Sequence, residues 1–233
     1  MSTHLVKHQK ITKRQMKEDP LVTAAFKATA QWERHGNRIL VGIGVLALLA
    51  LLGFFMMQAR SKAEAKASGD LFRANLAAMQ GDYVSAAPIL KEIVDNEPGT
   101  AAARDAMLLL GDSFASQQKP SDAAQWYQKY IDKSGGDKDR QRIGYLALAS
   151  ALEDAGQFGP AATAFSQSAD RSTTDNLRGR AMLGEARCLA RAGQTSKAVD
   201  VYKKIALLPQ AEVTITNAAN VRLGELQAAP TTP

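Results

Sequence analysis

Four stretches of this chain read as copies of one unit: GDYVSAAPILKEIVDNEP from Gly81, QKPSDAAQWYQKYIDKSG from Gln118, GQFGPAATAFSQSAD from Gly156 and GQTSKAVDVYKKIALLP from Gly193. Each opens on a turn, then sets a small residue (Ala86, Ala123, Ala161, Ala198) and a large one four positions later (Leu90, Tyr127, Phe165, Tyr202). The alanines fall 37, 38 and 37 residues apart, the fixed period of a repeat array. Ahead of each turn lies another helical stretch: LFRANLAAM, AAARDAMLLLGDSFA, RIGYLALASALED and RGRAMLGEARCLARA. Helix formers dominate these windows and strand signals nearly vanish after residue 60, so the expected fold class is all-α. The β-branched run Val213–Thr216 opposes this locally. A lone strand would have no partner, and helix is expected there as well.

Outward from the repeats, composition narrows the chemistry. The chain has 233 residues, 45% hydrophobic and 22% charged, a globular balance. The three histidines, His4, His8 and His35, all precede residue 38, which deprives the repeats of the commonest general base and metal ligand. The single cysteine, Cys188, lies on an apolar helical stretch with no histidine to activate it and reads as a buried structural thiol. Glu153 and Asp154 are adjacent in sequence and diverge on a helix rather than converge. Lys203-Lys204 reads as a solvated face, and no glycine-rich phosphate loop follows a strand. No active site, cofactor site or metal site emerges, and no enzyme is expected.

From Ile39 to Met57 the sequence ILVGIGVLALLALLGFFMM carries no charge. At about 1.5 Å per residue it reaches roughly 28 Å, close to the thickness of bilayer hydrocarbon. Its apolar core and the 38 residues before it exceed those of a cleaved signal peptide, so residues 39–58 are expected to be an uncleaved signal anchor. Gly44, Ala47, Ala50 and Gly53 recur every three residues in it, a period that drifts around the helix and forms no small-xxx-small motif. Residues 1–38 hold eight Lys/Arg against Glu18, Asp19 and Glu33, so +5 of the net +6 sits in this tail. Arg60, Lys62 and Lys66 follow the span. The positive-inside rule then leaves the tail cytoplasmic and puts the C-terminal part across the membrane, in a bacterium the periplasm.

Within the tail, Asp19-Pro20 suits a helix start. Leu21, Val22, Ala25, Phe26 and Trp32 recur near helical spacing, so a short basic amphipathic helix is expected. Trp32, Arg34 and Arg38 are its candidate membrane-interface residues. Any nucleic-acid contact would rest on residues 1–38 alone and is not expected.

The repeated segments resemble the tetratricopeptide repeat, a helix–turn–helix unit of about 34 residues. Leu110-Gly111 matches that family's leucine–glycine pair in its first helix, and Leu223-Gly224 matches it in a final segment that looks like a solitary capping helix. Pro98 and Pro209 stand where the family breaks its second helix. Arg73 occupies a position where the family usually has leucine, and Ser134-Gly135-Gly136 replaces a proline. The resemblance implies a superhelix of four repeats plus a cap over residues 59–228, followed by a disordered C-terminus at 229–233. It also assigns Leu71, Leu108, Leu146 and Leu183 to a concave, groove-facing row, with Asn75, Asp112, Ser150 and Arg187 one turn on. Along that face the charge runs from Asp105, Asp112, Glu153 and Asp154 to Arg180, Arg187 and Arg191. The Lys/Asn clamp of repeat proteins that grip acidic chaperone tails is missing.

A basic tail, one span and a repeat array together are similar to the YfgM-type ancillary subunits of the bacterial Sec translocon, a likeness of architecture and repeat phase. It implies docking beside a membrane channel at the inner membrane, the groove engaging emerging envelope proteins or periplasmic chaperones. The alternative is a scaffold subunit of another envelope or bioenergetic membrane complex. In both readings the partners are proteins and the membrane, not small-molecule substrates.

Overall fold

The computed structural model describes residues 20–228, and every regular element among them is a helix. Helix α1 spans Pro20–Met79 and α2 spans Tyr83–Asn96. They are followed by α3 (Ala101–Ser116), α4 (Pro120–Asp132), α5 (Lys138–Asp154) and α6 (Phe158–Asp170). The last three are α7 (Asp175–Arg191), α8 (Thr195–Ala206) and α9 (Val213–Ala228). The chain divides into two units, Met1–Ala59 and Arg60–Pro233. In the first, α1 begins at Pro20, whose fixed φ and missing N–H suit a first turn. No proline interrupts it afterwards, so the short tail helix expected after Asp19 is the start of a longer element. The large apolar residues from Leu40 to Met57 are all exposed. Residues 1–19 and 229–233, with His4, His8 and the expected C-terminal tail, lie outside the described residues, as do the side chains of Trp32 and Arg34.

The second unit is built of hairpins, and one backbone device makes each of them. The residues at 81, 118, 156 and 193 all adopt positive φ: Gly81 at 80°, Gln118 at 59°, Gly156 at 73° and Gly193 at 75°. At each, its N–H and that of the next residue bond back to carbonyls of the helix just ended. Gly156 donates to Glu153 and Gln157 to Leu152, at 2.9 and 2.8 Å; Gly193 donates to Ala190 and Gln194 to Leu189. This left-handed cap ends the first helix and redirects the chain into the second. Glycine does so without strain, whereas Gln118 carries a Cβ into the same conformation.

The turns bring the two helices of each hairpin close, and small residues fill the crossings. Ala86, Ala123, Ala161 and Ala198 on the second helices are all 0% exposed. Opposite them is a second small row at the same period on the first helices: Ala74, Gly111, Ala149 and Ala186, every one buried. At Gly111 the approach is closest, for a Cβ there would sit 2.2 Å from the Tyr127 ring. Gly144 on α5 receives Tyr130 and Ile131 of α4, and Gly184 on α7 receives the Phe165 ring of α6, by the same logic. Full burial of each large residue, Leu90, Tyr127, Phe165 and Tyr202, contributes about 1.5–3 kcal/mol. The core forms two clusters, one from the end of α1 with α2 and α3, the other from α4 to α9, with Phe114 packed against both.

Helix starts are tied across repeats. The Glu64 carboxylate accepts the N–H groups of Ala101 and Ala102 at 2.8 and 3.1 Å, placing an anion at the N-terminus of α3. The same link recurs where Asn176 Oδ1 accepts the Glu212 N–H at 2.7 Å ahead of α9. Val213–Thr216 is the first turn of α9, helical despite its β-branched residues because Ile215 is buried against Gly179. The Leu223-Gly224 pair is corrected in its role. Gly224 is exposed with nothing near it, since α9 is the last described helix and no second helix crosses it.

Replacing Gln118 by glycine removes the one strained cap and is expected to raise stability by about 1 kcal/mol, while Gly193→Ala lowers it by about as much. Urea denaturation followed by circular dichroism reads both. In the same assay Gly111→Ala, which forces the Tyr127 ring aside, is expected to lower stability by about 1–3 kcal/mol, and Gly224→Ala to leave it unchanged or raise it.

Candidate partner-binding groove

The candidate row sits three residues ahead of the small row on each first helix, and its polar companions follow directly after that row. Leu71, Leu108 and Leu183 are half-buried and lean on the two core clusters, whereas Leu146 is 37% exposed. The leucines thus form a seam between helix packing and solvent, with α5 offering the most open apolar surface of the four.

The polar row is committed to specific partners. Asp112 accepts the Tyr127 hydroxyl at 2.7 Å. Burial holds the Asp112 carboxyl above its ordinary range, with the tyrosine bond acting against that. Burial first, and the bond to Asp112 second, push the Tyr127 phenol far above its usual value. Ser150 is exposed and donates to the Leu146 carbonyl at 3.2 Å, a bond within its own helix. Asn75 is half-buried on α1. Arg187 on α7 makes a two-pronged contact with Glu153 on α5, Nε and Nη2 each 2.7 Å from a carboxylate oxygen. Arg191 adds a longer contact of 3.5 Å to the same group. The Arg187 hydrogen bonds hold the Glu153 carboxyl below its ordinary range against the opposing effect of burial.

The charge gradient expected along this face is therefore closed by direct pairing. Arg187 and Arg191 neutralise Glu153, and Arg180 reaches Glu212 at 3.5 Å. Sequence reading gave both ends of the Glu153–Arg187 pair and missed their contact. The available signal was a separation of 34 residues, one repeat less one helical turn, which places opposite charges on neighbouring first helices.

Around this pair the structure opens a cleft of about 560 Å³ between α5, α7, α8 and α9. Its polar lining comes from Glu153, Arg187, Arg191, Tyr202, Arg222 and Glu225. Arg222 bonds Glu225 at 2.7 Å within α9, and the Arg191 guanidinium lies 4.9 Å from the centre of the Phe158 ring. Planar guanidinium groups paired with carboxylates and backed by rings suit hydrogen bonding to a peptide more than simple charge attraction. Chemistry beyond binding is not supported by Cys188. It is fully buried, and burial pushes its thiol up to about 11, so it is protonated at neutral pH. Among the described residues no group of three or more His, Cys, Asp or Glu side chains is placed to hold a metal. Of the candidate interface residues, Arg38 is helical and exposed on α1.

The pairing has a pH signature. With its carboxyl held low, Glu153 stabilises the fold above the ordinary carboxylate range and loses that contribution as pH falls through its depressed value. Glu153→Gln is expected to cost about 1 kcal/mol at pH 7 and almost nothing near pH 3, read by denaturation at the two pH values.

No curated protein matches the chain. Among solved structures, it is similar to the nearly identical TPR-like repeats of a Podosopora anserina protein assigned to the kinesin light chains. The identity is 14% and the TM-score 0.57, covering 70% of this chain and 86% of that one. A single-substitution variant of the same repeats matches at 15% identity and TM-score 0.57, covering 70% and 85%. At this identity the likeness establishes a shared fold. The tetratricopeptide repeat-like domain family matches residues 30–228, nearly the whole described chain with both small rows and the cleft inside it, and the protein belongs to that family.

Proposed function

We propose that this protein is a single-span membrane protein whose repeat domain binds other proteins, as an accessory to protein translocation or periplasmic chaperoning at the bacterial inner membrane. The carrying observation is the run of large apolar side chains from Leu40 to Met57, every one at least half exposed, on a helix long and apolar enough to cross a bilayer. A soluble protein would cover such a surface; lipid covers it without further protein. The basic tail of residues 1–38 supports a cytoplasmic N-terminus, leaving the repeats on the periplasmic face. Trp32, Arg34 and Arg38 then stand at the entry to the span, where aromatic and basic side chains favour headgroups. Tetratricopeptide-like arrays present an extended face to protein partners. Here that face offers the Leu146 surface beside the cleft of Glu153, Arg187 and Arg222. Unfolded segments expose apolar side chains next to backbone amides, and this mixed surface suits both. The YfgM-type architecture supports a place beside the translocon.

Crosslinking in intact cells, followed by purification of the full chain in mild detergent and mass spectrometry, tests this function. Channel subunits together with varied envelope proteins are expected. A fixed stoichiometric set without the channel would instead make the protein a scaffold of another complex. External protease applied to spheroplasts is expected to digest residues 59–233, and their protection would reverse the orientation.

A further inference from the structure

The first repeat carries an interface with nothing on it. At 37- and 38-residue spacing, Gly69 corresponds to Ala106, Gly144 and Ala181, and Leu76 corresponds to Ser113, Ala151 and Cys188. In the later repeats all six of these are buried, on the face that meets the second helix of the preceding hairpin. The contacts are explicit: Ser113 donates to the Tyr83 carbonyl of α2, and Gly144 meets Tyr130 and Ile131 of α4. In α1 the same face is exposed, with Phe72 at 69%, Leu76 at 50% and Met79 at 85%. A repeat that simply ends an array has a polar outer face, and this one does not.

The stripe has the spacing of a helix pair. Ala65, Gly69, Phe72, Leu76 and Met79 are separated by four, three, four and three residues, all exposed. That is the 3.5-residue period that keeps one seam facing a partner helix. We infer that this face of α1 packs against the same face of a second copy of this chain, in parallel. The flanking charges decide both the occupant and its direction. One edge of the stripe carries Lys66 and Arg73, the other Ser68 and Asn75. In a parallel two-fold pair each basic edge meets the neutral edge of the other copy, whereas an antiparallel pair sets the basic edges against each other. Five residues, two of them small, bury less than the roughly 800 Å² per partner of a freestanding interface. The dimer therefore depends on both copies sharing one membrane, which raises their effective concentration; in this it rests on the anchored reading proposed above.

The test uses the full chain in its native membranes with single cysteines introduced for oxidative crosslinking. Buried Cys188 does not compete. Phe72→Cys and Gly69→Cys are each expected to give a disulfide-linked homodimer, while Lys203→Cys, exposed on α8, gives none. Adding Leu76→Asp to Phe72→Cys should cut the crosslinked fraction about tenfold or more with the circular dichroism spectrum unchanged, since Leu76 is not in the core. Self-crosslinking of Gly69→Cys marks the parallel register. A cross between separate Gly69→Cys and Leu76→Cys copies, without self-crosslinks, would overturn it. Monomers only, or a different protein captured at Phe72→Cys, would overturn the dimer. Carbonate extraction of the same membranes reports on the anchor independently. If the protein is released, the crosslinks are scored in the soluble fraction, where their presence or absence decides the dimer in the same way.

Discussion

Everything in the repeat domain depends on how closely two helices can approach. At 74, 111, 149 and 186 on the first helices, and at 86, 123, 161 and 198 on the second, only Ala and Gly occur, and all are buried. Removing side-chain bulk at the crossing lets the backbones near each other and leaves room for one large residue a turn later. The left-handed caps at 81, 118, 156 and 193 set the direction in which the second helix leaves, so the crossings recur in phase. A larger residue at one crossing displaces the aromatic that fills it, and the disturbance passes to the neighbouring repeat because both share that core.

Much of this was legible in the sequence. The turn, the alanine and the large residue four positions on are local features, and four copies in one phase made the all-helical repeat readable without any long-range contact. The second small row was less visible. Only Gly111 announces itself, beside Leu110, whereas Ala74, Ala149 and Ala186 vanish among the many alanines of helices that favour alanine for propensity alone. Leu223-Gly224 misled for the converse reason: the dipeptide is present, but its packing role needs a crossing helix, and α9 has none. Glu64 and Asn176, which cap helices a whole repeat away, leave no local pattern at all.

The groove was half legible. Repeat phase placed Leu71, Leu108, Leu146 and Leu183 on equivalent turns, but burial distinguishes them, and that depends on neighbours the sequence does not show. Charges were counted correctly and assigned to a gradient. Instead, the rise of a first helix and the stacking of repeats bring Glu153 to Arg187, so the surface is a set of satisfied pairs around a cleft. Such a surface recognises shape and hydrogen bonding before net charge. It also explains how a chain of net charge +6 carries a repeat face without strong charge: the excess lies in the first 38 residues.

The central claim is that the first-helix face of the repeats holds protein partners. Site-specific photocrosslinking in living cells tests it most directly, with the reactive group at Leu146 on that face or at Lys91, exposed on α2. Leu146 is predicted to capture envelope or channel proteins in discrete adducts that Lys91 does not form. Equal labelling from both positions, or none from Leu146, would contradict the account.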